Sequence, residues 1–114
     1  MKTCKYKVMA CNEAGCIVQC SLCKRIQIAF GTTAVNFSIN QYEQFSVHVK
    51  NTYLTCEHKG FPDLKMIQVS LNSEHISMVL TYNELSKLVH ILTEAEIIME
   101  ATEILNDNTS SAYN

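Results

Sequence analysis

The sequence predicts an α+β domain, with an antiparallel sheet built from an N-terminal β-hairpin plus two β-β-α units and both helices on one face. Three observations predict it. Phe37-Ser38-Ile39-Asn40-Gln41-Tyr42-Glu43-Gln44-Phe45 lies residue for residue over Leu80-Thr81-Tyr82-Asn83-Glu84-Leu85-Ser86-Lys87-Leu88. Each copy runs from an apolar strand end, through a hydroxyl residue able to cap a helix, into apolar residues at helical spacing. Upstream of the copies, Ile26-Gln27-Ile28 and Ile67-Gln68-Val69 alternate with the period of a strand. Between them a polar connection holds Gly60 and the only proline, Pro62, a natural boundary.

Lys5 to Ala10 suits a strand, Asn12-Glu13-Ala14-Gly15 a turn, and Cys16 to Gln19 the returning strand, so residues 1–25 read as a cysteine-rich hairpin. The first β-β-α unit, residues 26–54, places Ile26, Ile28 and Phe30 on one strand face. It turns at Gly31-Thr32-Thr33 and returns along Ala34 to Phe37. Ser38 then caps a helix whose Tyr42, Phe45 and Val49 share a face. The second unit, residues 64–105, has strands at Lys65 to Leu71 and His75 to Leu80 joined by Asn72-Ser73-Glu74. Thr81 caps its helix, along which Leu85, Leu88, Leu92, Ala95, Met99 and Thr102 alternate steps of three and four, a core-facing stripe. A second stripe, Ile91, Ile98 and Leu105, makes the C-terminal helix a candidate homodimer seam. Residues 106–114 are small and polar and read as a flexible tail, which leaves 1–105 as a single domain.

With 114 residues, 47% apolar and 18% charged, the composition is that of a globular chain. A formal net charge of −2 with scattered basic residues argues against nucleic acid as a partner. No stretch nears the ~20 apolar residues of a membrane-spanning helix. The N-terminal Met-Lys-Thr-Cys-Lys-Tyr-Lys lacks the apolar core of a secretory signal, so the expected location is cytoplasmic, where thiols stay reduced.

The sharpest chemical signal is Cys20-x-x-Cys23, one of several features of a chain with six cysteines. Two intervening residues let both sulfurs turn toward one point, as tetrahedral zinc requires, and equally let them form a redox-active pair. A structural zinc site needs two further ligands, with Cys4, Cys11, Cys16, Cys56 and His58 as candidates. If Asn12 to Gly15 closes the hairpin, Cys11 faces Cys16 and Cys4 comes beside Cys23. That register holds Cys11 four strand residues from Cys20, roughly 13 Å. A looser turn would let Cys11 approach instead. Cys56, or His58 beside it, could reach over from the long connection as a fourth ligand. Small buried thiols are the plainer alternative. A redox role is disfavoured because a strand, not a helix N-terminus, follows the motif.

Catalytic signatures are missing. No H-E-x-x-H, G-x-S-x-G, G-x-x-x-x-G-K-[ST] or G-x-G-x-x-G pattern occurs, and three glycines leave little for a phosphate cradle. His48 and His90 fall on or beside apolar stripes, where structural histidines are commoner, and Glu94, Glu96, Glu100 and Glu103 read as a solvated acidic face.

The run Cys11-Asn12, Gly15, Ile17, Cys20-Ser21-Leu22-Cys23, followed by Ile26-Gln27-Ile28-Ala29-Phe30-Gly31 and then Phe37-Ser38 and Tyr42-Phe45, resembles a group of short bacterial proteins of the Bacteroidetes. The resemblance covers roughly the first half of the chain and brings no activity, cofactor or partner. It implies Cys11, rather than Cys16, as the companion of Cys20 and Cys23, so the candidate metal set is Cys20, Cys23, Cys11 and Cys56, with Cys4 and His58 as alternates. The functional expectation is a small non-catalytic binding or regulatory module for a protein partner or small ligand, stabilised by structural zinc. The alternative is a thiol-dependent redox protein or sensor.

Overall fold

The fold comes from a computed structural model that describes residues 5–56, 63–73 and 75–112. Its elements run β1 (Tyr6–Cys11), β2 (Gly15–Cys20), β3 (Ile26–Phe30), β4 (Thr33–Phe37), α1 (Ile39–Thr55), β5 (Ile67–Ser73), β6 (Ile76–Leu80) and α2 (Tyr82–Ala112). Strands β1 to β4 form an antiparallel meander, and β5 pairs with β6 in a two-stranded sheet. The α+β class and the hairpin followed by two β-β-α units are as the sequence predicts.

The six strands form two sheets rather than one. Helix α1, 17 residues long, carries the chain about 25 Å from the end of β4. On its return β5 packs against α1 instead of pairing with the edge of the meander. Each helix touches both sheets, α2 through β1, β2 and β6 and α1 through β4 and β5, and the two helices pack on one another.

Local chemistry explains the hairpin. The Asn12 Oδ1 accepts from the Ala14 and Gly15 amides at 2.9 and 3.1 Å, closing the turn, while its Nδ2 donates to the Lys87 carbonyl of α2 at 3.1 Å. One side chain therefore shapes the turn and docks it on the helix. Gly15 begins β2 where a Cβ would stand 2.1 Å from the Ala29 carbonyl oxygen, so no other residue fits without moving β3. The pairing starts as expected with Cys11 opposite Cys16. It then slips by one at a bulge between Val8 and Ala10, which brings Tyr6 opposite Cys20.

Both helices begin with the same device. Ser38 accepts from the Gln41 amide and the Gln41 side chain accepts from the Ser38 amide; Thr81 and Glu84 repeat the exchange at α2. These are equivalent positions of the repeated segment, so the repeat is realised as two capping boxes ahead of two core stripes. From α1, Tyr42, Phe45 and Val49 are buried, with Phe45 stacked on Phe37 at 5.0 Å. From α2, Leu85, Leu88, Ile91, Leu92 and Ala95 are fully buried, each leucine or isoleucine worth roughly 1.5–3 kcal/mol. Past Ala95 the helix outruns the sheets: Met99 is half-buried, Ile97, Ile98, Ile104 and Leu105 are exposed, and the helix continues to Ala112, into the stretch read as a tail. No helix among the described residues is long and apolar enough to cross a membrane.

Candidate binding cleft

The cysteines occupy separate parts of the fold. Cys11 is disulfide-bonded to Cys16 across the tip of the β1–β2 hairpin. Cys20 and Cys23 flank the opposite end of β2, roughly 13 Å along the strand from Cys16. Cys56 follows the last residue of α1, whereas Cys23 lies beside Ser38, Ile39 and Asn40 at the start of that helix. The length of α1 thus stands between Cys56 and Cys23. Cys11, Cys56 and the Cys20–Cys23 pair are not brought together, and no group of three or more metal-ligating side chains occurs among the described residues. Cys4 and His58 lie outside them.

The turn itself is well defined. Cys20 donates its amide to the Arg25 carbonyl, its own carbonyl accepts from Lys24, and its sulfur accepts from the Cys23 amide at 3.4 Å. Ser21 binds the Lys5 carbonyl through both its amide and its hydroxyl, fastening the start of the hairpin to the turn. Lys24 closes the loop at φ 66°, a left-handed conformation that costs a residue with a Cβ about 1–2 kcal/mol. Cys20 is fully buried and Cys23 is exposed.

The same strained lysine lines a cleft of about 690 Å³ between α1, the C-terminal half of α2 and the ends of β2 and β3. That volume is typical of small-molecule sites. Ile26, Ile39, Val47 and Met99 give it apolar walls. Glu96 of α2 meets Ser46 and Lys50 of α1 there, accepting from the serine hydroxyl and the lysine ammonium. Ser46 is the one buried polar residue among those described, and Glu96 satisfies it.

Tyr42 lies in the same wall, with 2% of its surface exposed and its hydroxyl lacking any hydrogen-bond partner among the described residues. Burial, helped by the nearby Glu96 charge, pushes its ionisation well above the ordinary tyrosine range. An orphaned buried hydroxyl costs about 1–3 kcal/mol, so its presence in a cleft wall calls for a reason. Among the lining residues, Glu43, Glu100 and Glu103 are exposed and carry no ion pair among the described residues, and Lys24 is exposed beside them.

Helical spacing predicts Tyr42 on the core stripe and Glu96 on a solvated face. The core assignment holds, but the unsatisfied hydroxyl depends on what surrounds it in space. The Ser46–Glu96 contact joins two helices, and no local pattern encodes it. His48, His75 and His90 are all exposed, and His90 pairs with Glu94 at 2.8 Å.

A model of a family of unknown function, DUF6686, matches residues 1–111. The chain belongs to that family. No curated protein and no solved structure matches it. The family's description assigns no role to any residue of the cleft.

Proposed function

We propose that this DUF6686 protein is a small non-catalytic binding module whose site is the α1–α2 cleft. The observation that carries the reading is Tyr42, a hydroxyl kept buried and unpartnered in the wall of an apolar-lined cavity. A bound molecule supplies the missing partner by drawing the Glu96 carboxylate away from Lys50 so that it accepts from Tyr42. The left-handed Lys24 at the rim fits the same reading, since backbone strain concentrates at binding sites. The test is a titration of protein labelled with carbon-13 at its methionine methyls, using the neutral amphiphile 3-phenylpropan-1-ol. Saturable shifts confined to Met99, with Met9, Met66 and Met78 unmoved, support the site; no shift, or equal shifts at all four, rejects it.

A second reading concerns the cysteine turn and is favoured by the Cys23 amide bound to the Cys20 sulfur, a contact that stabilises a thiolate ligand. On this proposal Cys20 and Cys23 are half of a structural zinc site, completed by Cys4 or His58 rather than by the distant Cys11 and Cys56. Elemental analysis of the purified protein tests it: about one zinc per chain, lost in Cys20→Ser/Cys23→Ser, supports it, and metal-free folded protein rejects it. A redox role for the pair has less support, because Cys20 is fully buried and β3 follows the turn.

A further inference from the structure

The charges around the cleft are unequal, and this selects among ligands. Glu96 is neutralised by Lys50, with Ser46 completing its hydrogen bonds. What remains among the lining residues is Glu43, Glu100 and Glu103 against Lys24. All four are exposed, so solvent reduces each interaction, but the surplus has one sign and sits over an apolar interior. Such a rim repels carboxylates and phosphates and attracts a cation, while the walls formed by Ile26, Ile39 and Met99 reward an apolar body. Tyr42 adds a third requirement, a polar group able to pair with a hydroxyl at depth.

Resting on the binding reading above, we propose that the cleft takes an amphipathic cation, an apolar body bearing a primary or secondary ammonium group. The apolar part fills the space between α1 and α2. The ammonium lies at the mouth among Glu43, Glu100 and Glu103, where it also competes with Lys50 for Glu96. Once Glu96 is drawn from Lys50 it is available to Tyr42, so the cation and the orphaned hydroxyl are served by one rearrangement. The Ser46 hydroxyl stays with the other carboxylate oxygen, which keeps α1 and α2 joined.

The experiment compares three probes of nearly equal shape and different charge, 3-phenylpropylammonium, 3-phenylpropan-1-ol and 3-phenylpropanoate, by the Met99 methyl shift at low salt. The ammonium is expected to bind about tenfold more tightly than the carboxylate, with the alcohol between. Raising the salt to 1 M, where the screening length is about 3 Å, should shrink that ratio. Glu100→Gln/Glu103→Gln alters two exposed side chains, leaves the fold intact, and should bring the ratio below about threefold. Carboxylate binding as tight as ammonium, or a ratio indifferent to the double substitution, overturns the ligand class while leaving the cleft as a site. Silence at Met99 with all three probes overturns the binding reading itself and this inference with it.

Discussion

Glu96 of α2 is ion-paired to Lys50 of α1 across the wall of the cleft, and its other oxygen accepts from the buried hydroxyl of Ser46. The two contacts differ in weight. The ion pair is about a third exposed on each side, and pairs of that kind contribute roughly 0–1 kcal/mol. The serine is only 2% exposed, so losing its acceptor strands a buried donor at about 1–3 kcal/mol. Lys50→Met should therefore change the melting temperature little. Glu96→Ala should lower it by several degrees, with Ser46→Ala/Glu96→Ala recovering part of the loss in a double-mutant cycle by thermal denaturation.

Tyr42→Phe removes a hydroxyl that has no partner among the described residues and should stabilise the ligand-free protein by about 1–2 kcal/mol. It should also change the alkaline limb of the stability curve. Burial raises the folded-state ionisation above the ordinary value of 10.0, so the folded protein holds the proton more firmly than the unfolded chain. That contribution is fully present below pH 10 and declines as pH rises beyond it. Chemical denaturation between pH 9 and 11 should show a smaller decline in Tyr42→Phe than in the wild type.

The start of α2 predicts the opposite pH behaviour. Glu84 accepts from the Lys65 ammonium and the Thr81 amide, and these bonds hold its carboxyl below the ordinary value of 4.5. Its contribution is present above that value and is lost as pH falls through the depressed one. Glu84→Gln should flatten the acid limb, and Thr81→Ala should cost about 1 kcal/mol at neutral pH by removing the cap.

At the hairpin tip, the Cys11–Cys16 bond closes a short loop, for which chain entropy allows about 2 kcal/mol of stabilisation. Cys11→Ser/Cys16→Ser should lower stability by up to that amount and leave the fold intact, because Asn12 still closes the turn and holds it to Lys87. Gly15→Val should cost more than the double cysteine variant, since the added atoms would overlap the β3 backbone. Urea denaturation of the two variants in parallel gives the ordering.

Much of the architecture was legible because it is local. Ser38 and Thr81 announce helix starts as capping hydroxyls, and Ile26, Ile28 and Phe30 announce a strand by alternation. The division into two sheets was not legible, because it depends on where α1 delivers β5. The cysteines show both cases. Cys11 opposite Cys16 follows from the turn, but the distance of Cys56 from Cys23 follows from the length of a helix set between them. The cleft was least legible of all. Tyr42 reads in sequence as part of a core stripe and Glu96 as part of an acidic face, and only the packing of α1 on α2 brings them, with Ser46 and Lys50, into one wall.

The measurement that tests the account most directly is the affinity of 3-phenylpropan-1-ol for wild-type and Tyr42→Phe protein, read at the Met99 methyl beside the unfolding curves of both. If the orphaned hydroxyl belongs to a ligand site, the variant is the more stable protein and binds the probe at least threefold more weakly. If it binds equally well while gaining the same stability, Tyr42 is a packing defect and the cleft has lost the observation that made it a site.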